Sequence, residues 1–475
     1  MPVDAKRLDR VFNPKTVVVV GDKKAGNYSW LRNMKTVTGK LYSVQIDERE
    51  IPGIQELGIP NFKSLLEVPG PIDYVLVAVP RKAVPFVIAD CVKAKVGGVA
   101  CFTSGFAETD DEGRELQKKI TAMATEAGLP LIGPNCMGLF SPKAGVRHSN
   151  EQYHGESGPV GFIGQSGTHT IFFSTTLNAI HGIKLSKSVS FGNAAVMDVA
   201  DFLEYFGQDP EIKVIGAYIE GVKQGRRLFR ALREVTPKKP VLIWKGGQTD
   251  FGARAASTHT GSLAGSYAIW QTLYRQTGAI GVDNLDQMVD TTAALLKLGD
   301  LKGDGGALMC MTGGQSVVIT DTFAKEDLRV PALSEASYKE LASFFNVIGG
   351  FYRNPLDVSW NSSSGDLMTR ILTILDSDAN TDFVALELFV ATVARHMKAA
   401  QKGDSSFFDS ITSHAKHARK PFFAMLTPTS SEIEAIELRK MLTEAGVLAF
   451  PTFQRAAVAY KKALDYRHWV SALTP

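Results

Sequence analysis

The 475-residue sequence is poor in cysteine and has neither a long apolar run nor a secretion signal. Its 4 cysteines show no paired spacing, which excludes a disulfide framework and a zinc motif. No apolar run reaches the roughly 18 residues that cross a bilayer, and the charged start Met1–Arg10 precedes no apolar stretch with a cleavage site. These absences predict a cytoplasmic protein with reduced thiols, no membrane partner and no metal site.

An excess of either charge is also lacking. The chain has 52 basic and 49 acidic residues, a net charge of +3, and no basic block, which argues against a nucleic-acid partner. Disorder is excluded because 44% of the residues are hydrophobic and the net charge is small. At roughly 100–200 residues a domain, the length predicts about three domains.

One pattern repeats along the chain: a short β-branched run, a glycine-rich turn and an amphipathic stretch. Examples of the runs are Thr16–Val20, Ile72–Val79, Val160–Ile163 and Phe383–Leu388. Continuous apolar strands that alternate with helices predict an α/β fold of parallel sheets covered on both faces. Changes in composition near 141–158 and 298–305 divide the chain into predicted units at 1–140, 150–297 and 305–475.

The loops that follow the predicted strands carry the functional argument, because such sheets bind ligands beyond the carboxyl ends of their strands. Gly21 follows the first strand and could let the backbone approach a phosphate, with a plain tight turn as the alternative. The loop lacks G-x-G-x-x-G, and only Asp47 is a loose candidate for the acidic partner, which disfavours a dehydrogenase. For Cys136, a small buried residue is the alternative to a functional one.

Two later loops have the form of anion cradles, where backbone N–H groups meet a positive helix N-terminus. The first is Gln165-Ser166-Gly167, after the strand at Val160–Ile163, and the second is Thr312–Ser316. A nucleophile elbow is excluded at the first cradle because Thr168 stands where the second glycine of G-x-S-x-G belongs.

A single histidine, His259, lies in a predicted loop of small residues, Ala255–Gly265. Such a loop gives an imidazole room to titrate or to act as a nucleophile, whereas most lone histidines have no such role. Together with Glu220 at a strand end, the two cradles favour a phosphate handled between two helix N-termini.

The order of these motifs resembles that of the α subunits of the ADP-forming acyl-CoA synthetases, relatives of succinyl-CoA synthetase. The resemblance is carried by Gly133–Gly138, Gln165–Gly167, Ser190–Asn193, Glu220 and Ala256–Gly265, and it continues into Thr312–Val317 and Arg353–Asp357. It implies a Rossmann-like CoA-binding domain followed by two flavodoxin-like CoA-ligase domains.

The resemblance also implies roles. His259 would be the phosphohistidine and Glu220 would orient its imidazole. Phosphate would be held by Ser166, Gly167, Gly313 and Gly314; coenzyme A by Gly21, Lys40, Pro80, Ser104, Asn135 and Cys136, with Cys136 near the thioester sulfur; and the substrate by Gly192, Asn193 and His169. For His169, packing inside a helix is the favoured alternative. Gly21-Asp22-Lys23 and Gln45-Ile46-Asp47 depart from the family pattern, which leaves the grip on the CoA nucleotide end open.

The implied reaction converts acyl-CoA, phosphate and ADP into a carboxylic acid, CoA and ATP through an acyl phosphate and a phosphohistidine. We find no candidate ATP-grasp domain, so ATP or ADP with Mg²⁺ is expected on a separate β subunit in an α2β2 assembly; a homodimer of this chain is also open. The alternative is an acyl-CoA-binding protein or non-ligase CoA enzyme without ATP chemistry. Such a protein would need neither Glu220 nor His259.

Overall fold

The computed structural model describes residues 5–260, 266–359, 365–391, 393 and 406–473, and for 256–260 and 406 it describes the backbone alone. It confirms the α/β class, with three sheets of mostly parallel strands. The chain divides into two compact units, Met1–Thr176 with Ile183–Asp283 and Leu177–Gly182 with Asn284–Pro475. The first two sheets belong to the first unit and the third sheet to the second, while the three domain boundaries stay a prediction.

The first sheet has six parallel strands in the order β3-β2-β1-β4-β5-β6. Its central strand β1, a threonine followed by four valines, is buried along its whole length, as expected for a strand covered on both faces. The order reverses between β1 and β4, which is where such sheets form a ligand crevice. The strands are β1 (Thr16–Val20), β2 (Lys40–Val44), β3 (Asn61–Phe62), β4 (Tyr74–Val77), β5 (Gly98–Cys101) and β6 (Leu131–Ile132), and the helices are α1 (Ala5–Phe12), α2 (Ser29–Met34), α3 (Ile51–Glu56), α4 (Val84–Lys93) and α5 (Asp111–Glu126), with 3-10 turns at Lys24–Gly26, Leu65–Glu67 and Arg81–Ala83.

The second sheet has the order β12-β11-β10-β8-β9-β7, and only β7 runs antiparallel to its neighbour. Its strands β8, β9, β10 and β11 end side by side, so the loops after them share one edge. The strands are β7 (Gly138–Phe140), β8 (Val160–Gly164), β9 (Leu185–Ser190), β10 (Val214–Ile219), β11 (Val241–Lys245) and β12 (Ile280–Val282), and the helices are α6 (Gly167–His181), α7 (Val199–Gln208), α8 (Gly225–Val235), α9 (Asp250–Thr260) and α10 (Tyr267–Thr277).

The third sheet, in the second unit, has five parallel strands in the order β14-β13-β15-β16-β17. Its strands are β13 (Gly306–Cys310), β14 (Leu356–Asp357), β15 (Phe383–Phe389), β16 (Phe422–Thr427) and β17 (Leu448–Phe450), and the helices of this unit are α11 (Leu285–Lys297), α12 (Gly313–Lys325), α13 (Glu335–Ala342), α14 (Gly365–Ser377), α15 (Ser406–His417), α16 (Glu432–Glu444) and α17 (Phe453–Ser471).

The structure also bears on the features that the sequence lacks. All four cysteines are buried and unbridged. Within the described ranges, no group of three or more histidine, cysteine or acidic side chains is placed to hold a metal ion. Among the helices just given, none is both long enough and apolar enough to cross a bilayer.

His148 is a buried histidine that makes the folded state less stable in acid. Burial lowers its pKa to about 4, although its Nδ1 lies 3.2 Å from the Leu139 carbonyl oxygen. In the unfolded chain a histidine titrates near 6.5, so below that pH only the unfolded state gains the proton. We expect the free energy of unfolding to fall by about 3 kcal/mol between pH 7 and pH 4 on this account.

Urea unfolding at a series of pH values measures this effect. His148→Gln removes the titrating group and should flatten the pH dependence in that range, whereas His154→Gln, at an exposed histidine, should not. Equal pH dependence in the two variants would show that His148 does not contribute.

Candidate active site

Three of the residues predicted to line the CoA groove lie at the carboxyl edge of the first sheet. Gly21, Pro80 and Ser104 follow β1, β4 and β5. Gly21 has φ +87°, and a Cβ atom there would overlap the Val79 side chain, so only glycine fits the turn. These three residues therefore border the β1/β4 crevice.

Lys40 does not join them. It is the first residue of β2 and pairs with Thr16, the first residue of β1, so it lies at the amino edge of the sheet. Five residues of extended chain, roughly 13 Å or more, separate the two edges. The prediction that Lys40 lines the CoA groove is wrong, because its position in the strand could not be seen from the sequence motif.

The N-terminus of α2 accommodates an anion that belongs to the protein itself. The buried Asp22 carboxylate accepts the N–H of Leu31 at 2.8 Å and that of Lys23 at 3.0 Å. Burial raises the pKa of Asp22 and these backbone donors partly offset the rise. The phosphate expected in this loop therefore meets a carboxylate already bound to one N–H of the helix and one of the loop, and the tight-turn alternative describes Gly21 better.

The loops that carry Asn135 and Asn193 pack against each other. The Asn193 N–H donates to the Pro134 carbonyl at 3.0 Å, and the Asn135 N–H donates to Thr103 at 3.0 Å. Gly192 lies so close to Asn135 that a Cβ atom would overlap the Asn135 carbonyl oxygen. Predicted CoA residues and predicted substrate residues thus meet at one place in the first unit.

Cys136 lies beside this place, but its thiol is buried. The residue is 4% exposed, and its Sγ lies 3.4 Å from the Cys101 carbonyl oxygen. Burial raises the pKa of the thiol to about 12, so it stays protonated and unreactive. The structure thus contradicts the expected CoA-lining role for this side chain and supports the alternative of a small buried residue.

Glu220, at the end of β10, is held beside the predicted phosphate cradle. Gln165 Oε1 accepts the N–H of Glu220 at 2.8 Å and that of Gly221 at 3.0 Å. The Tyr218 hydroxyl donates to Glu220 Oε1 at 3.2 Å. Since Gln165 directly precedes Ser166, the carboxylate and the start of α6 are fixed relative to each other.

Ser166 and Gly167 form the start of α6 as predicted from their spacing. The Ser166 hydroxyl oxygen accepts the N–H of His169 at 3.4 Å, a weak capping contact. A Cβ atom at Gly167 would overlap the Met137 side chain, so the glycine lets the chain after β6 approach the helix. Their binding of phosphate stays a prediction.

His169 packs between aromatic rings. Its ring centroid lies 4.3 Å from that of Tyr218 and 4.5 Å from that of Trp244. Burial lowers its pKa, opposed by the charge of Glu220, and no hydrogen-bond partner of its Nδ1 is found in the described part of the chain. The packing alternative therefore accounts for His169, and substrate contact stays a prediction.

Lys245 is a charged group that the sequence reasoning did not select. It ends β11, is 1% exposed, and its Nζ lies 5.7 Å from the centroid of the Trp270 ring. Burial lowers its pKa, and the nearby Glu220 charge opposes this. With Glu220, Trp270 and Leu273 it lines a cavity of about 830 Å³ between α8 and α10.

The segment expected to be a loop around His259 is partly helical, since α9 continues to Thr260. The expectation of a loop is therefore wrong for residues 255–260. The side chain of His259 and residues 261–265 lie outside the described part of the structure. The approach of the His259 imidazole to Glu220 stays a prediction.

Gly313 and Gly314 begin α12 in the second unit, as expected for a cradle. The helix is capped by Thr312, whose hydroxyl oxygen accepts the Gln315 N–H at 3.4 Å. A buried acid, Glu387, accepts the Met311 N–H at 2.9 Å, and burial raises its pKa. Joint binding of one phosphate with Ser166 and Gly167 stays a prediction.

The sequence reasoning assigned no role to Tyr218 and Lys245, and it placed Gln165 in the cradle motif without a partner. Each is polar and lies in or directly after a strand whose other residues are apolar. A polar residue at the end of an apolar strand is a signal that the sequence contains, because a polar side chain buried there needs a hydrogen-bond partner. Which partner it finds depends on the neighbouring strand, which lies far away in the sequence.

Comparison with known proteins agrees with this geometry. The family described as CoA binding domain matches residues 15–142, and the succinyl-CoA ligase like flavodoxin domain matches 157–295. The chain is 31% identical to the α subunit of acetate–CoA ligase (ADP-forming) I of Pyrococcus furiosus, over 97% of this chain and 98% of that one. This chain belongs to the ADP-forming acyl-CoA synthetases.

Two further members of this acyl-CoA synthetase family differ in length. The chain is 33% identical to acetate–CoA ligase (ADP-forming) I of Archaeoglobus fulgidus but spans only 56% of that protein's length. A solved structure, the dinucleotide-forming acetyl-coenzyme A synthetase 1 of Ca. Korarchaeum cryptofilum in complex with phosphate and ADP, is 27% identical with a TM-score of 0.82. That likeness covers 98% of this chain and 99% of the solved one. The predicted order of a CoA-binding domain and a ligase domain is thereby confirmed.

Proposed function

We propose that this chain is the α subunit of an enzyme that interconverts acyl-CoA, phosphate and ADP with a carboxylic acid, CoA and ATP. Relatives named as ADP-forming acetate–CoA ligases support this assignment. The observation that carries it is the pairing of Gln165 with the backbone of Glu220, which sets a carboxylate beside the start of α6.

The reaction divides into three balanced transfers. Phosphate attacks the thioester carbon and CoA leaves as the thiol, which gives an acyl phosphate. The His259 imidazole then takes the phosphoryl group and the carboxylate leaves. Finally ADP accepts the phosphoryl group, which gives ATP and restores His259.

In this scheme the described residues position the phosphate and the His259 imidazole and stabilise their charges. Ser166, Gly167 and the α6 N-terminus would hold the phosphate, since helix N-termini favour anions. Glu220 would hold one imidazole nitrogen of His259, so that the other nitrogen faces the phosphorus. Gly313 and Gly314 of the second unit would also bind phosphate.

For coenzyme A, the β1/β4 crevice with Gly21, Pro80 and Ser104 and the loop of Asn135 supply the binding surface. The Asn135 amide fits such a ligand because one of its two hydrogens faces Asn193 at 3.5 Å, while the other has no acceptor in the described residues. Gly192 and Asn193 would border the acyl group. Asp22 at the α2 N-terminus indicates that the CoA phosphates bind elsewhere in the crevice.

A partner supplies the nucleotide site in this proposal. Relatives of similar length carry subunit names, which supports a hetero-oligomer with a β subunit. We propose that an ATP-grasp β subunit binds ADP or ATP with Mg²⁺, and that His259 carries the phosphoryl group to it. The α2β2 composition belongs to the same proposal.

The test is phosphorylation of the chain. Purified protein is incubated with acetyl-CoA and ³²P-phosphate, then with ADP, in the presence and absence of the candidate β subunit. We expect acid-labile label on this chain that requires acetyl-CoA, and transfer to ADP only with the β subunit. Binding of CoA, seen as a raised melting temperature, without any label would instead favour an acyl-CoA-binding protein without ATP chemistry.

A further inference from the structure

A carboxylate that is not among the residues carrying the resemblance joins the CoA-binding sheet to the predicted substrate loop. Glu108 lies in the loop between β5 and α5, and its Oε1 accepts the N–H of Gly105 at 2.7 Å and that of Phe106 at 3.2 Å. Its Oε2 accepts from the Asn193 amide nitrogen at 2.5 Å. One side chain therefore fixes both the loop after Ser104 and the side chain of Asn193.

These contacts determine which way the Asn193 amide faces. Its nitrogen donates to Glu108 Oε2 and, at 3.0 Å, to Gln117 Oε1. A carboxylate oxygen only accepts, and Gln117 Oε1 also receives the Ala107 N–H at 3.4 Å, so the nitrogen must face this pair. Both amide hydrogens are used, and Oδ1 is turned towards Asn135.

The Asn193 backbone is fixed independently of the side chain. Its N–H donates to Pro134, and its carbonyl oxygen accepts from Lys223 Nζ at 2.8 Å. Lys223 also donates to the Ala194 carbonyl at 2.8 Å. With the backbone held, the carboxylate of Glu108 has one remaining effect on Asn193, the orientation of its amide.

The chain of contacts ends at Asn135. The Asn135 amide nitrogen lies 3.5 Å from Asn193 Oδ1, the oxygen that Glu108 turns towards it. A donor held by a charged acceptor polarises the rest of its amide, so Asn193 Oδ1 becomes a stronger acceptor. Replacing the carboxylate would weaken or reverse this order of donors and acceptors.

We propose that Glu108 is a positioning residue for the thioester step, acting through Asn193 on Asn135; this inference rests on the proposed function. In the thioester step, phosphate forms a bond to the acyl carbon and the carbon–sulfur bond breaks. Glu108 takes no part in that exchange. It presents Asn193 as an acceptor, which leaves the Asn135 amide in one orientation towards the CoA thioester.

The experiment is a double-mutant cycle in the complete complex, with acetyl-CoA, phosphate and ADP as substrates. Glu108→Gln puts an NH₂ group against either the loop N–H groups or the Asn193 NH₂, so one contact is lost. We expect kcat to fall about 10- to 100-fold with little change in the KM for acetyl-CoA, since the group affected is at the reacting end. In an Asn193→Ala background the same substitution should cost almost nothing more.

Glu112→Gln, in the first turn of α5 just after this loop, is the matched control. Glu112 is an exposed acid paired with Arg81 and Lys82, and its replacement should leave kcat unchanged. If Glu108→Gln costs as much in the Asn193→Ala background as in wild type, Glu108 acts on the loop alone and the inference is overturned.

A second readout does not depend on turnover. With ¹⁵N-asparagine labelling, the side-chain amide signal that disappears in Asn193→Ala should shift on Glu108→Gln and stay in place on Glu112→Gln. An unshifted signal overturns the inference while the proposed function stands. A wild-type complex that forms no ATP overturns the proposed function and, with it, the role of Glu108.

Discussion

Replacement of His259 by alanine should abolish phosphorylation of this chain. In the scheme above, the imidazole of His259 is the group that forms the bond to phosphorus. The other imidazole near Glu220, that of His169, is packed between the rings of Tyr218 and Trp244. Tyr218 is buried and hydrogen-bonded to Glu220, and burial lowers the pKa of Lys245 but leaves it packed over Trp270. We expect the synthesis of ATP from acetyl-CoA to fall about 10⁴-fold or more.

The measurement is acid-labile ³²P on the gel-purified chain, with His154→Ala as the matched control because that histidine is exposed. The control should keep full label. Glu220→Gln should keep the nucleophile but slow labelling, because a neutral amide stabilises the imidazolium less than a carboxylate does. Full label on His259→Ala would assign the phosphoryl group to another residue and refute the proposed relay.

Replacement of Gly192 by alanine should severely damage the proposed thioester site. Gly192 has φ +51°, and a Cβ atom there would overlap the carbonyl oxygens of Pro134 and Asn135. The methyl group must push the Asn193 loop away from the Asn135 loop. A displacement of about 1 Å at a reacting centre costs about 10²-fold in rate.

Steady-state kinetics of the complex with acetyl-CoA checks this, with Gly225→Ala as the matched control. A Cβ atom at Gly225 meets nothing within 4 Å, so that variant should behave as wild type. The melting temperature of Gly192→Ala, with and without CoA, separates loss of the site from loss of the fold. If kcat and the CoA-dependent shift stay at wild-type values, the two loops do not form the thioester site.

Much of the fold was predictable because its signals are local. The valine run of β1 and the apolar runs of β8 and β10 are buried strands where the sequence indicates them, since a strand covered on both faces must be apolar throughout. Glycine-rich turns marked the carboxyl edges correctly at Gly21 and Gly167. The boundaries around His259 were wrong because small residues permit a helix as readily as a loop.

The errors at the candidate site have a common physical cause. Lys40 lies at the amino edge because strand register, a relation between distant segments, sets its place. The anion at α2 is Asp22 because the turn at Gly21 brings that carboxylate to the N–H of Leu31 in the helix and to that of Lys23 in the loop. Cys136 is buried, with its Sγ against the carbonyl oxygen of Cys101 in β5. Such packing between distant segments cannot be read from a sequence motif.

The sequence by itself determined the α/β class and the order of the motifs, and it singled out His259, Glu220 and the two glycine-rich cradles as candidates, because these depend on short-range pattern and residue type. Only the tertiary structure decided which side chains share an edge. It brought Gln165 to Glu220 and Glu108 to Asn193, pairs separated by 55 and 85 residues in the chain. Hydrogen bonds between such distant residues form only once the neighbouring strands and loops are packed. The local sequence around each residue therefore does not specify its partner.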